Sequence, residues 1–213
     1  MTDLSFECVG VTPQRFTAAP TLVFHLLIKE TSGARVGAIA LRSQIRIQPL
    51  KRSYTETEAR RLVDIFGERD RWPTSMKPVQ LATVAAMVPG FVGSVEYPLD
   101  VACSYDLEVA VGRYFNALEG GDVPLVLLFS GTVFGVGDDG MVVEQLPWYT
   151  ECEYRLPVRL WRELMDLYFP DSGWLRLDRE ILLALGDFKS RYALPTWDRA
   201  LQALLEKAGE LQR

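Results

Sequence analysis

The chain has one histidine, His25, so any Ser–His or Cys–His nucleophile pair must use it as base. His25 sits mid-strand among apolar neighbours in PTLVFHLLIKE, with no third group arranged to orient its ring. It reads as a structural residue. Ser130, in LLFSGTVF, lacks the G-x-S-x-G surround of a nucleophile elbow and lies within a strand pattern. GVGDDG places Gly135, Gly137 and Gly140 in the G-x-G-x-x-G spacing of a dinucleotide loop. The β-branched run MVVEQL follows it where a helix should begin, and Asp138 and Asp139 would repel a pyrophosphate. A hairpin turn is the better reading.

Cys8, Cys103 and Cys152 are far apart and odd in number, which argues against a disulfide framework. No C-x-x-C or H-x-x-H pair anchors a metal site, so these thiols read as reduced and mostly buried. The acid pairs Asp106/Glu108, Glu151/Glu153 and Asp138/Asp139 are the beginnings of general acid–base chemistry, but solvated sheet surface accounts for them more simply. No catalytic residue, cofactor or metal ligand is expected.

Binding is better represented. In AIALRSQIRIQPL, Ile39, Leu41, Ser43, Ile45 and Ile47 alternate with Arg42, Gln44, Arg46 and Gln48, giving a strand with one apolar face and one basic, amide-rich face. The stripe either docks an acidic partner through its arginine forks or faces Asp106 and Glu108 within the same sheet; the second is favoured. Trp148, Trp161 and Trp174 join Arg42, Gln44 and Arg46 as candidate partner contacts, because large aromatics are enriched at interfaces. Core packing is the other fate open to each tryptophan.

The elements that must position these residues are mostly strands. Leu22, Phe24, Leu26 and Ile28 form one face of a strand, and Thr31-Ser-Gly-Ala turns it into the 38–50 strand as an expected antiparallel hairpin. Thr55 and Glu58 form a capping box before Ala59, Leu62, Val63 and Phe66, with Gly67 placed to end that helix. VQLATVAAMV and FVGSVEY read as strands on either side of a Pro89-Gly90 turn, and SYDLEVAV as a further strand. VPLVLLFSGTVF is apolar on both faces and should be central. From Pro157 the period becomes helical: one helix carries Leu160, Trp161, Leu164, Met165 and Tyr168, a second follows Asp178, and a third opens at Pro195-Thr196.

The expected class is α+β: an antiparallel β-sandwich over 1–156 with a helical insertion near 56–66, and a helical C-terminal part, 157–213, packed on it as one globular unit. With 48% hydrophobic and 24% charged residues the composition is that of a globular protein. Residues 29–77 hold 11 Lys and Arg against 6 Asp and Glu, whereas 96–153 hold Arg113 alone against 11 acids. An acidic chain with net charge −5 is a poor nucleic-acid binder. No apolar run reaches the ~18 residues of a membrane helix, and MTDLSFECVG lacks a signal peptide's basic start, so a cytoplasmic protein is expected.

Taken together, ALRSQIRIQP, MVPGF, LLFSGTVF, LPVRLWRELMDLYFP-x-SGWL and LPTWD resemble an uncharacterised family of actinobacterial proteins of about this length. The similarity runs nearly end to end. Members of that family often lie in gene clusters with a high-affinity, oxygen-tolerant nickel–iron hydrogenase. The resemblance implies an accessory or assembly role beside that enzyme or its assembly factors, and it supplies no catalytic residue. The histidine tracts of a nickel chaperone are absent. The expected function is non-enzymatic, through protein–protein interaction. A carboxylate-based enzyme, or a sandwich enclosing a small apolar ligand, are the alternatives.

Overall fold

The computed structural model describes residues 3–103, 111–137, 140–170 and 177–210. The chain divides into two compact units, Met1–Asp171 and Ser172–Arg213. The first contains β1 (Leu4–Gln14), β2 (Thr21–Glu30), β3 (Arg35–Ile47), β4 (Val79–Val92), β5 (Ser94–Ala102), β6 (Asp122–Gly137), β7 (Gly140–Gln145) and β8 (Glu151–Pro157). Among the described residues four α-helices accompany them: α1 (Glu56–Phe66), α2 (Trp72–Ser75), α3 (Arg113–Ala117) and α4 (Val158–Tyr168). The strands form two antiparallel sheets, a smaller one ordered β1-β2-β5 and a larger one ordered β4-β3-β6. β7 and β8 share the far edge of β6, one along its second half and the other along its first. The result is an α+β chain built on an antiparallel sandwich.

Alternation sets the inner faces. Leu22, Phe24, Leu26 and Ile28 are all fully buried, as are Ile39, Ser43, Ile45 and Ile47 from the other sheet. Phe6 of β1 stacks on Phe129 of β6 across the sandwich, with ring centroids 4.5 Å apart. β6 is central, as its two-sided apolarity implies, and even its outward Val126 is buried. α1 has the expected capping box, in which Thr55 accepts from the Glu58 N–H and Glu58 from the Thr55 N–H. Gly67 ends it at φ 75°.

Two connections differ from the sequence reading. β2 and β3 do not form a hairpin: β2 lies between β1 and β5, and β3 between β4 and β6, so the Thr31–Ala34 turn crosses between sheets. Pro89-Gly90 is no turn either, because β4 runs straight through it to Val92. An edge strand tolerates a proline, since the missing N–H need face no neighbour. The chain turns instead at Gly93, whose φ of 72° lets β4 of one sheet continue into β5 of the other. The SYDLEVAV strand falls largely outside the described residues; its last member, Val111, is helical and buried, and leads into α3.

α4 completes the core of the first unit. Val158, Trp161 and Leu164 are buried, and the Tyr168 hydroxyl donates to the Gln14 carbonyl at 3.1 Å while accepting from the Thr17 N–H at 3.1 Å. The second unit is a helical hairpin of α5 (Arg179–Arg191) and α6 (Trp197–Ala208). Thr196 caps α6 by accepting from the Arg199 N–H, and Lys207 sits 4.1 Å from the Tyr192 ring centroid.

Candidate functional site

The residues with nucleophile or base chemistry are not brought together. Ser130 lies exposed on β6 opposite Arg42, and His25 lies on β2 of the other sheet. His25 Nε2 is 3.0 Å from Thr12 Oγ1, and Nδ1 is 3.9 Å from a Glu96 carboxylate oxygen. GVGDDG forms the β6–β7 connection, with Gly137 opposite Gly140; Asp138 and Asp139 lie outside the described residues. Among the described residues no group of three or more His, Cys, Asp or Glu side chains is placed to hold a metal.

Two cysteines do meet. Cys8 of β1 and Cys152 of β8 lie near enough for each to affect the other's titration. Burial pushes Cys8 up to about 12 and Cys152 up to about 11, so both stay protonated thiols near neutral pH. Of the acid pairs, Asp106/Glu108 lies outside the described residues. Glu153 pairs with the Lys51 ammonium at 2.6 Å, which holds its carboxyl below the usual carboxylate range.

The basic stripe is on the outer face of the larger sheet. Arg42 lies opposite Ala85 of β4 and Ser130 of β6, Gln44 opposite Thr83 and Leu128, and Arg46 opposite Gln80 and Val126. Arg46 Nη2 donates to Gln44 Oε1 at 2.7 Å, and Gln44 Nε2 donates to Gln80 Oε1 at 2.7 Å. This chain of bonds ties the stripe to Gln80 of β4. β3 ends at Ile47, so Gln48 falls just beyond the stripe, where its N–H donates to the Pro124 carbonyl. The favoured partners Asp106 and Glu108 lie outside the described residues, and both edges of β3 are taken by β4 and β6.

Beyond Arg42 the same face becomes small and apolar. Ala40 lies between Met87 and Thr132, and Ala38 between Pro89 and Phe134, with Val143 of β7 next to Phe134. Met87 is 60% and Val143 54% exposed. Wide apolar exposure beside charge is the pattern of an interaction surface. Trp148, 92% exposed in the β7–β8 turn, stands edge-on to Tyr149 with centroids 5.7 Å apart. Trp161 is no partner contact: it is 1% exposed and stacked on Phe115 at 4.6 Å, since α4 uses it to reach the core. Trp174 lies outside the described residues.

A family model described as "Family of unknown function (DUF6084)" matches residues 1–213. The chain belongs to the DUF6084 family. No curated protein matches it. Among solved structures, it is similar to a protein from Archaeoglobus fulgidus at 11% identity and TM-score 0.29, over 71% of this chain and 97% of that one. It is also similar to beta-glucosidase 3B from Thermotoga neapolitana at 14% identity and TM-score 0.26, over 72% of this chain and 17% of that one. The beta-glucosidase of Kluyveromyces marxianus follows at 12% identity and TM-score 0.25, over 72% and 15%. Likeness this slight carries no argument about either fold or activity.

In this DUF6084 chain the apolar half of the outer sheet face is the part that the sequence reading missed. Its signal was the outward set Ala85, Met87 and Pro89 in VQLATVAAMVPG, apolar residues at every second position. A second feature without a local signal is a groove of about 470 Å³ lined by Asp3, Leu4, Ser5, Phe6, Pro147, Tyr149, Thr150 and Glu151.

Proposed function

We propose that this DUF6084 protein is a non-enzymatic interaction protein whose partner docks on the outer face of the larger sheet. One observation carries the reading: Ala38, Ala40, Met87, Phe134 and Val143 form a continuous, partly exposed apolar patch that runs into Arg42, Gln44 and Arg46. An antiparallel sheet that leaves an apolar face uncovered gains by burying it against another protein, at roughly 25 cal/mol per Å² of apolar area. The arginines add orientation, since their planar forks match carboxylates of a partner. The role proposed is that of a cytoplasmic accessory or assembly factor, and the family resemblance supports a nickel–iron hydrogenase or its assembly factors as the partner.

Affinity capture of the tagged protein from its native host tests this, with Met87→Glu and Arg42→Glu variants alongside. We expect the same hydrogenase-linked protein to be enriched by the wild type and lost from both variants, whose thermal unfolding stays unchanged. Equal capture by all three, or enrichment of nothing, overturns the proposal.

A further inference from the structure

Among the described residues no strand pairs with the outer side of β1, which is an edge of the smaller sheet. Its backbone groups alternate between the β2 side and the open side, and two bonds fix which is which. The Thr31 N–H donates to the Asp3 carbonyl, so Asp3 faces β2. The Glu30 N–H donates to the Gly93 carbonyl, so Glu30 turns away from its cross-strand partner Leu4. Leu4 and Glu30 are therefore a non-hydrogen-bonded pair, and so, two residues on, are Phe6 and Ile28. The N–H and C=O groups of Leu4 and Phe6 point out along the free edge.

Further along β1 the open side is covered. The Cys8 backbone lies towards the Cys152 thiol and the Val11 backbone towards the Tyr154 hydroxyl, so β8 closes this edge with side chains. The cover stops before Phe6. There the groove begins, bounded by Asp3–Phe6 on one wall and by Pro147 and Tyr149–Glu151 on the other. Its lining carries two carboxylates, Asp3 and Glu151, and no cation. Tyr149 is two-thirds exposed, and Trp148 beside it is almost fully so.

We infer that this groove binds an extended basic segment of a partner polypeptide, which adds as a strand to Leu4–Phe6 and sets a lysine or arginine between Glu151 and the Tyr149 ring. Strand addition gives the partner backbone the hydrogen bonds that β1 leaves unmade, while alternate side chains supply selectivity. The cation gains from the carboxylates and from the faces of exposed aromatic rings. The inference rests on the protein-binding reading above, but at a second contact, on the other sheet's edge.

The test titrates the full chain with a blocked peptide of alternating valine and lysine, about six residues long to match a usual strand. Two controls accompany it: the same peptide with glutamate for lysine, and the lysine peptide N-methylated at every second residue. Amide shifts should move at Leu4, Phe6, Tyr149 and Glu151. Both controls, and the lysine peptide with the Glu151→Lys variant, should bind about tenfold more weakly or worse, a difference of about 1.4 kcal/mol. N-methylation removes donors from the peptide alone, so its effect is independent of whether any variant folds. Equal binding of either control, unchanged affinity for Glu151→Lys, or no binding at all overturns the inference. Shifts centred instead on Ala40 and Met87 also overturn it, and leave the sheet-face reading standing. Failure of that reading shows separately, as native capture indifferent to Met87→Glu.

Discussion

Arg52 and Glu58 form an ion pair at 2.7 Å with side chains only 9% and 3% exposed. The pair is held by more than its own attraction: Arg52 also donates to the carbonyls of Gly120 and Asp122, and Glu58 accepts from the Glu119 N–H. It fastens the α1 insertion to the start of β6. Burial pushes the Glu58 carboxyl up, but the backbone donors of Glu119 and Thr55 and the Arg52 guanidinium outweigh it, and the net shift is downward from 4.5. A lowered carboxylate stabilises the fold at pH above its ordinary value, and that contribution is lost as pH falls from about 4.5 through the folded value. Glu58→Gln leaves Arg52 buried without its counter-charge, and should cost about 3–5 kcal/mol at pH 7. Urea unfolding of both proteins across pH 7 to 3 checks this: the gap should narrow as Glu58 protonates. The capping role of Glu58 was legible from Thr55 three residues before it. The backbone groups that complete the Arg52–Glu58 site were not, because Glu119 and Gly120 lie some 60 residues away and nothing local announces them.

Elements were legible where burial is one-sided or complete. β2, β3 and α1 follow their apolar periods, and β6 its two apolar faces, because the sandwich buries those positions regardless of strand order. Connections were less legible. A turn such as Thr31–Ala34 serves a hairpin or a crossing between sheets equally well, and only the occupied edges of β2 decide it. The interaction surface was half-read for the same reason: Arg42, Gln44 and Arg46 show on one strand, but the apolar half needs β4, β3, β6 and β7 side by side. β3 and β6 approach closely at Gly131, whose φ is 154° and where an added Cβ would lie 2.1 Å from the Ala40 carbonyl oxygen. Both strands belong to the core, so neither yields easily. Gly131→Ala should therefore destabilise by about 2 kcal/mol or more, by strain and by displacing β3. Thermal denaturation measures it. An unchanged midpoint would show that the strands can part without cost, and Ala40 on the outer face would be the first residue to move in amide shifts.

At the level of the whole chain, the two compact units meet at Asp171 and Ser172, one helix beyond the change of composition at Pro157. The reason is visible in α4. Its residues Val158, Trp161 and Leu164 are fully buried with the sandwich core, and Tyr168 is tied by its hydroxyl to the segment joining β1 and β2. Helical period marks where a helix begins, but says nothing of which unit it packs in. Charge follows a similar logic: the basic 29–77 segment and the acidic 96–153 segment meet at Lys51–Glu153, yet Arg52 turns mainly to carbonyls and to Glu58 of its own segment. Removing α4 would take three buried apolar side chains out of the core and bare the residues they cover, Phe115 among them, and each such side chain is worth about 1.5–3 kcal/mol on burial. That sum is comparable to the 5–15 kcal/mol that typically holds a domain folded, so the loss should be decisive. A chain ending at Leu156 should aggregate, whereas one ending at Asp171 should remain soluble with a single cooperative unfolding transition. Size-exclusion chromatography and calorimetry of the two truncations decide the matter. A soluble, cooperative 1–156 fragment would mean that the core closes without Trp161, and α4 would then belong with the helices that follow it.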